Sequence, residues 1–457
     1  MGVYLMHGIC VVGLGYVGLS LGVFLASKGV TVYGYDIENW KLESLKMGKP
    51  YIFEEGLKEK LDKVLHNMFI PSSDLKKCIE ESNIIFICVG TPVGDDWRLN
   101  YNYILSAAKE IGKVLEKIGE YRLVVVKSTI LPESSRKLVI PAIEFSSGLQ
   151  VGTDFGYVYN PEFLREGVAL RDLEKPFRIV IGEYDRKSGD ILYSLYKSIY
   201  NTEVPIIRTT IENAEIIKYA SNAFLSLKVS FINYIARICE DVPNADITIV
   251  SKALGFDPRI GAAHLNAGIG FGGQCLPKDL KAFISFVEER GLNSSLLRTI
   301  YDINEEQALW PIEVLKRIYD NIKGRKVSVL GLTFKPNTDD IRGSQAIKVI
   351  KHLISAGAKV KVYDPRGSEK FTSNYYYLPV TICKSVDECL RESEAVIIAT
   401  EWDEFKEISI EKFKKLMKRP IVIDGRRIYD PDKLQKEGII YVGVGYHSNI
   451  PSTLLEM

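Results

Sequence analysis

The stretch that most constrains the fold is a glycine-rich turn between a short apolar run and a helical segment. Residues 9–12 read ICVV, the composition of a buried parallel strand, and residues 13–18 read GLGYVG. In such a unit the first glycine makes a tight turn, and the second lets a pyrophosphate approach the backbone. The third allows the helix to pack closely on the strand, with its N-terminus facing the phosphates. The pattern therefore predicts the opening of a dinucleotide-binding Rossmann domain.

The next apolar run, residues 30–35, ends in Asp36. Rossmann domains place an acid about 20 residues beyond the glycines, where it binds a ribose 2′-hydroxyl. Because a carboxylate there repels a 2′-phosphate, the sequence favours NAD over NADP. The residues assigned to the cofactor from this region are Gly13, Gly15, Tyr16, Val17, Gly18 and Asp36.

Further apolar runs alternate with helix-compatible segments, which is typical of an open α/β sheet. They are residues 84–89, 123–126, 157–159 and 179–181. Ligands bind such sheets outside the carboxyl ends of the strands, so we expect the polar loops after the first three runs to line one crevice. These loops are residues 90–92, 127–129 and 160–167.

From about residue 210 the apolar spacing changes to that of long helices. Lys218 and Asn222 are four residues apart and share a helix face, and their neighbours are apolar or small. A lysine at this spacing is usually solvated, whereas one buried among apolar neighbours would need a purpose. The sequence leaves both interpretations open.

A cysteine stands farther on in the stretch GFGGQCLPKD, residues 270–279. Glycines remove side chains where backbone must pass close to a ligand, and Lys278 beside Cys275 favours the thiolate form of that cysteine. Taken alone, the stretch fits either a nucleophilic thiol or a glycine turn with a small apolar cysteine.

The last third of the chain repeats the spacing of strand candidates, with runs that begin at residues 326, 360, 395, 421 and 440. Its glycine turn, GLTFKP at residues 331–336, lacks the later part of GxGxxG, which argues against a second complete dinucleotide. Lys335, Arg342 and Arg426 lie near predicted strand ends and are candidates for contact with a phosphorylated ligand.

These patterns predict an α/β protein with two Rossmann-like, doubly wound domains joined by a central, mainly helical domain. The predicted boundaries are residues 1–205 for the NAD-binding domain, 206–320 for the central domain and 321–457 for the last domain.

Composition excludes several classes of function. The 59 Lys and Arg residues nearly balance 58 Asp and Glu residues, so nucleic acid is not the expected partner. The seven cysteines are odd in number and form no CxxC pair, which fits neither a disulfide framework nor a metal site and indicates the reducing cytoplasm. The apolar residues before position 30 are interrupted by glycines, so we expect neither a signal peptide nor a membrane span.

With these segments in place, the chain resembles the UDP-glucose/GDP-mannose dehydrogenase family over nearly its whole length. The matching features are GLGYVG at 13–18, NPEFLREG at 160–167, Lys218 with Asn222, GFGGQCLPKD at 270–279 and GLTFKP at 331–336. The resemblance implies an NAD domain, a helical dimer core and a nucleotide-sugar domain. It also implies a four-electron oxidation of a sugar C6 alcohol to a carboxylate, with two NAD and one water per turnover, in a homodimer or higher homo-oligomer.

The resemblance further implies the roles of individual residues. Cys275 would attack an intermediate aldehyde and carry a thiohemiacetal and then a thioester. Lys218 and Asn222 would stabilise negative charge on the substrate oxygen, Asp279 would assist proton transfer, and Glu162 would assist thioester hydrolysis. The further residues implied at the cofactor are Thr91, Thr129 (which would touch cofactor or water) and Glu166, and those at the substrate are Phe163, Leu164, Arg259 from the partner subunit, Gly272, Phe334, Lys335 and Arg426.

The expected substrate is UDP-glucose, with UDP-glucuronate as the product. The Gln274 and Lys278 positions bear on the choice between this sugar and GDP-mannose or a UDP-N-acetylhexosamine, which stay as alternatives. A two-electron dehydrogenase of the hydroxyacid type is a second reading, because such enzymes also use a lysine and an asparagine on one helix. A nucleotide-sugar sensor without turnover is a third.

Overall fold

A computed structural model describes residues 8–200 and 204–447 of this chain. The chain divides into two compact units, Met1–Ser221 and Asn222–Met457. Among the described residues, no helix combines the length and the apolar character that a membrane span requires.

The first unit is built on an eight-stranded sheet. In chain order its strands are β1 (Ile9–Val12), β2 (Val32–Tyr35), β3 (Phe69–Ser72), β4 (Ile84–Ile87), β5 (Leu123–Val126), β6 (Gly156–Tyr159), β7 (Ile179–Glu183) and β8 (Ile206–Thr210). Across the sheet the order is β3-β2-β1-β4-β5-β6-β7-β8, and every neighbouring pair is parallel except β6 and β7. The carboxyl ends of β1, β4, β5 and β6 therefore share one edge.

Helices cover both faces of this sheet. They are α1 (Tyr16–Ser27), α2 (Asn39–Lys46), α3 (Leu57–Val64), α4 (Leu75–Glu80), α5 (Asn102–Ile118), a π-helical turn (Ser135–Val139), α6 (Ile140–Ser147), α7 (Ala169–Glu174), α8 (Arg186–Ile199) and the start of α9 (Ile211–Asp241). Alternate residues of one strand enter opposite cores: Ile9 and Val11 lie in one cluster, and Cys10 and Val12 lie in the other. Burial on both faces explains why β1 is a continuous apolar run.

The second unit begins with helices and ends with a six-stranded sheet. The helices that precede the sheet are the rest of α9, α10 (Ile247–Phe256), α11 (Cys275–Glu289), α12 (Ser295–Gln307) and α13 (Trp310–Ile318). The later elements are β9 (Lys326–Leu330), α14 (Gln345–Ser355), β10 (Lys359–Tyr363), α15 (Ser368–Tyr375), β11 (Val380–Ile382), α16 (Val386–Leu390), β12 (Ala395–Ile398), α17 (Asp403–Lys406), α18 (Ile410–Leu416), β13 (Ile421–Asp424), α19 (Pro431–Lys436) and β14 (Ile440–Gly443). The sheet is parallel throughout, in the order β11-β10-β9-β12-β13-β14.

The predicted fold class is confirmed, because two parallel-rich α/β sheets are separated in the chain by a helical region. Residues 206–210, assigned to the central region from sequence, pair with β7 as the last strand of the first sheet. The domain boundaries at residues 205 and 320 stay predictions.

Candidate active site

The glycine turn after β1 has the shape that a dinucleotide requires. Gly13 has a φ of +93°, and a Cβ on Gly18 would lie 1.9 Å from the Gly13 carbonyl oxygen, so a side chain at either position would disrupt the turn. A Cβ on Gly15 would meet no atom within 4 Å. The open side of Gly15 and the start of α1 at Tyr16 therefore fit a pyrophosphate against the backbone.

Asp36 follows β2 and holds a fixed position beside this turn. It is 6% exposed, and its Oδ2 accepts a hydrogen bond from the Leu14 amide at 2.8 Å. Its Oδ1 accepts one from the Glu38 amide at 3.0 Å, and the Lys41 ammonium lies 3.3 Å from Oδ2. A carboxylate so placed fits a ribose hydroxyl, as the sequence predicts.

The loops after β4, β5 and β6 contact one another at the carboxyl edge of the sheet. The Thr91 hydroxyl donates to the Thr129 carbonyl at 2.7 Å, which joins the first two loops. Glu166 lies in the third loop, where the next residue, Gly167, donates its amide to Glu54 at 2.7 Å. The buried Glu54 also accepts from the Ala169 amide at 2.8 Å, and sequence reasoning did not identify it.

Glu162 and Lys218 form a buried ion pair in the first unit. Lys218 is 3% exposed, as its apolar flanks indicate, and its Nζ donates to the Glu162 carboxylate at 2.7 Å and to the Glu162 carbonyl at 2.6 Å. The second carboxylate oxygen accepts from the Leu164 amide at 2.7 Å. Lys218 Nζ also lies 5.6 Å from the centroid of the Phe163 ring. Four predicted site residues therefore form one cluster.

Cys275 differs from every other cysteine of the chain. It is exposed, whereas the other six are buried free thiols. It is the first residue of α11, and two of the three glycines in the stretch before it, Gly270 and Gly273, have φ values of +101° and +82° that favour glycine. An accessible thiol at a helix N-terminus is the environment of a reactive cysteine rather than of a packing residue.

Asp279 lies one helical turn after Cys275 and is 2% exposed. The Asn222 side-chain amide of α9 donates to Asp279 Oδ2 at 2.6 Å, and the Lys278 ammonium lies 2.6 Å from Oδ1. The carboxylate is therefore held by one neutral donor and one cation. This contact links the predicted asparagine and aspartate.

The glycine stretch packs directly against residues of the last third of the chain. A Cβ on Gly273 would lie 2.9 Å from the Phe334 ring, and one on Gly272 would lie 2.5 Å from the Gly343 carbonyl oxygen. Slightly earlier, a Cβ on Gly268 would lie 2.9 Å from an Arg426 guanidinium nitrogen. The glycines thus bring Phe334 and Arg426 to the cysteine stretch, as expected for residues that share a ligand.

Four buried amide side chains hold the backbone of this stretch, and the sequence did not point to them. The Phe271 carbonyl accepts from Gln345 Nε2 at 2.7 Å and from Asn304 Nδ2 at 3.1 Å, and the Phe271 amide donates to Asn304 Oδ1 at 2.7 Å. Asn233 accepts from the Gly268 amide and Gln307 donates to its carbonyl, each at 2.8 Å. Amides on otherwise apolar helix faces were the one signal available.

Three cations that the sequence predicts near the substrate differ in their contacts. Arg259 is bonded to Asp257 in a turn, and its side chain is 87% exposed. Arg342 pairs with Asp340 at 2.7 Å. Lys335 lies with its ammonium 5.5 Å from the Phe334 ring centroid. Arg259 and Arg342 are thus each bonded to an aspartate two residues earlier in the chain, and Lys335 lies next to Phe334.

The second sheet carries an aspartate, Asp364, at the place that Asp36 takes in the first. Asp364 follows β10 and accepts from the amides of Leu332 at 2.7 Å and Gly367 at 2.6 Å. It also accepts from the Trp402 indole and the Thr333 hydroxyl, each at 3.1 Å. Both aspartates accept backbone amides of the turn beside them, and Asp364 differs in also accepting from a buried tryptophan.

Comparisons with known proteins agree with this arrangement. Residues 7–200, 212–306 and 328–431 match the NAD binding domain, central domain and UDP binding domain of the UDP-glucose/GDP-mannose dehydrogenase family. The chain is 40% identical over 441 residues to the UDP-glucose 6-dehydrogenase TuaD of Bacillus subtilis, covering 96% of this chain and 93% of that protein.

Two solved structures extend the likeness to the fold. A UDP-glucose dehydrogenase from Pyrobaculum islandicum has a TM-score of 0.90 at 36% identity, covering 98% of this chain and 100% of that one. A UDP-D-ManNAc dehydrogenase from Pyrococcus horikoshii has a TM-score of 0.84 at 27% identity, covering 96% of this chain and 99% of that one.

Proposed function

The chain belongs to the UDP-glucose/GDP-mannose dehydrogenase family and is an NAD-dependent oxidoreductase, and from this premise we propose that it oxidises UDP-glucose to UDP-glucuronate. The observation that carries the proposal is Cys275, the exposed cysteine among seven, at the N-terminus of α11 one turn before the held carboxylate of Asp279. A two-electron hydroxyacid dehydrogenase has no use for such a thiol.

The proposed reaction passes through a covalent bond to this cysteine. NAD, which the turn at Gly13 and Gly15 and the Asp36 carboxylate would hold, would supply the oxidant for two successive hydride losses from C6 of the sugar, with one NAD consumed in each. Between these steps the Cys275 thiolate adds to the C6 aldehyde, and loss of the second hydride converts the thiohemiacetal to a thioester. Water then cleaves the carbon–sulfur bond, which releases the carboxylate and returns the thiol. Covalent attachment retains the aldehyde while the reduced cofactor leaves.

The remaining polar residues take supporting roles in this proposal. Lys218 and Asn222 stabilise negative charge on the substrate oxygen, and Asp279 exchanges a proton near Cys275. Glu162 receives a proton from the hydrolytic water, and Thr129 contacts cofactor or water. Phe334, Lys335 and Arg426 hold the nucleotide sugar, supported by the packing of the glycine stretch against Phe334 and Arg426.

The proposal is tested by the ratio of NADH to sugar acid on a panel of substrates. With limiting UDP-glucose and excess NAD, we expect two NADH for each UDP-glucuronate formed, because both hydrides leave the same carbon. GDP-mannose and UDP-N-acetylhexosamines should give much lower kcat/KM values. One NADH per sugar with free aldehyde would reject the thioester route, and a preference for another nucleotide sugar would reassign the substrate.

We also propose that the enzyme is a homodimer formed through α9. An apolar row at helical spacing faces outward on this helix: Phe224, Phe231, Tyr234 and Ile238 are each between 45% and 61% exposed. Such a continuous exposed stripe is typical of an interface. The exposed Arg259 would then serve the partner's sugar site.

Co-expression of two inactive variants tests the dimer and the role of Arg259 together. A Cys275→Ser subunit keeps Arg259, and an Arg259→Ala subunit keeps Cys275. In random dimers we expect active sites to reappear at about a quarter of all sites, because half the dimers are hybrids with one intact site each. No recovery in a mixture shown to contain hybrids would contradict the shared site.

The reduced state of the cysteines supports a further part of the proposal, that the enzyme works in the reducing cytoplasm. None of the seven cysteines forms a disulfide, and Cys275 must stay reduced to act as a nucleophile. Recovery of the protein and its activity in the cytoplasmic fraction of cells would support this location, and recovery from a secreted or envelope fraction would contradict it.

A further inference from the structure

A second buried lysine lies next to the Glu162–Lys218 pair. Lys127 follows β5 and is 6% exposed. Its Nζ donates to Asn160 Oδ1 at 2.8 Å and to the Asn160 carbonyl at 3.3 Å. The same Oδ1 accepts from the Tyr196 hydroxyl, and Asn160 Nδ2 donates to the Val180 carbonyl at 2.6 Å. The ammonium is thus held by neutral groups at the base of the loop that carries Glu162.

Burying a cation on neutral partners costs folding free energy, so a lysine buried in this way points to a use for its charge. The nearby Lys218 has a carboxylate partner, so the Glu162–Lys218 pair carries no net charge when both groups are ionised. Lys127 interacts electrostatically with both members of that pair. A cluster of two lysines and one glutamate keeps one net positive charge in a low-dielectric site, where it acts strongly on a nearby anion.

We propose that Lys127 is a positioning residue that supplies the net positive charge of the buried cluster, leaving Lys218 able to stabilise a negative substrate oxygen although it is paired with Glu162. The inference rests on the roles proposed above for Lys218 and Glu162. Without Lys127, a negative oxygen would face a neutral ion pair instead of an excess cation.

The charge on Lys127 should disappear in an accessible pH range. Burial, with a smaller contribution from Lys218, lowers the pKa of Lys127 to about 8, against the opposing effects of Cys88 and Glu162. Burial raises the pKa of Cys88 to about 12 and that of Tyr196 well above its usual value, so neither of these neighbours changes charge near pH 8.

The adjoining cavity, about 50 Å³ in volume, is lined by Lys127, Glu162 and three further groups that bear on charge. Asp172 is paired with Arg165, Arg178 stacks on Phe163 at 3.9 Å from the ring centroid, and burial raises the pKa of Tyr200 above the range of interest. A lysine loses its charge as pH rises through its folded pKa, so the cluster carries its excess charge below pH 8 and loses it above.

The experiment is the pH dependence of kcat at saturating UDP-glucose and NAD. We expect kcat of the native enzyme to fall as pH rises through about 8. Lys127→Met, which is never charged, should lower kcat at pH 7 about tenfold to a hundredfold, change both KM values little, and remove the ionisation near pH 8. Lys127→Arg, which is always charged, should also remove the ionisation but keep more activity than the methionine variant.

Tyr196→Phe is the matched control. It removes the other hydrogen bond to Asn160 Oδ1 without changing charge, so it should keep the ionisation near pH 8 even if kcat drops. The inference is overturned if Lys127→Met keeps the native pH profile of kcat. It is also overturned if Lys127→Met and Tyr196→Phe alter kcat and its pH profile in the same way. If a Lys127 variant does not fold, the native profile decides: no ionisation near pH 8 rejects the inference. Failure of the proposed function would be distinct, because the native enzyme itself would then form no UDP-glucuronate.

Discussion

Cys275→Ser is expected to lower UDP-glucuronate formation by roughly three orders of magnitude or more, because a serine hydroxyl in place of the thiolate is a far weaker nucleophile toward the aldehyde. Affinity for NAD should be unchanged, since Gly13, Gly15 and Asp36 belong to the other compact unit. The measurement is acid formation followed by chromatography, with NAD affinity determined by titration. Native levels of acid from the serine variant would remove the thioester from the mechanism.

The six buried cysteines provide controls within the same chain. Cys239→Ala, in α9, should keep native acid formation because that thiol is 5% exposed and lies in an apolar core. Brief alkylation of the folded enzyme should label Cys275 and abolish activity, while the buried thiols stay unlabelled. Inactivation that tracks labelling of another cysteine would contradict the assignment.

The sequence predicted strands well where burial on both faces forces a continuous apolar run. The central strands β4 and β5 read IIFI and LVVV and are fully buried. The strands that sequence reasoning did not anticipate, β3, β8 and β11, all lie at an edge of their sheet. An edge strand has one unpaired side, so β3 tolerates Pro71, which a sequence pattern marks as a turn rather than a strand.

The candidate site shows the same division between local and long-range information. Cys275, Lys278 and Asp279 lie within one helical turn, so a single motif reports them together. Gln345 is 74 residues from Phe271, whose carbonyl it binds. A buried amide with a distant partner leaves no periodic or compositional trace, because its role depends on how helix and loop pack. A local motif can therefore indicate the residues proposed for the chemistry, whereas the amides that hold the backbone of this stretch left no signal of that kind.

Lys218→Met is expected to lower kcat by roughly two to four orders of magnitude with little change in NAD affinity, because the ammonium opposes negative charge on the substrate oxygen. The change has a second consequence. It leaves the Glu162 carboxylate buried without its cation while the Leu164 amide still donates to it, and breaking a buried ion pair costs about 3–5 kcal/mol of folding stability. Loss of activity in this variant alone would therefore not separate catalysis from folding.

The double variant Lys218→Met/Glu162→Gln separates the effect of Lys218 on catalysis from its effect on folding. The single variant Glu162→Gln is measured as its control. Neutralising the carboxylate removes the unpaired charge, so unfolding by denaturant should show most of the lost stability restored. Acid formation should stay as low as in Lys218→Met, because the amide restores neither the ammonium nor the base. Recovery of kcat together with stability would show that the lysine serves only to neutralise Glu162. A loss of NAD affinity larger than the loss of kcat would instead assign Lys218 to cofactor binding.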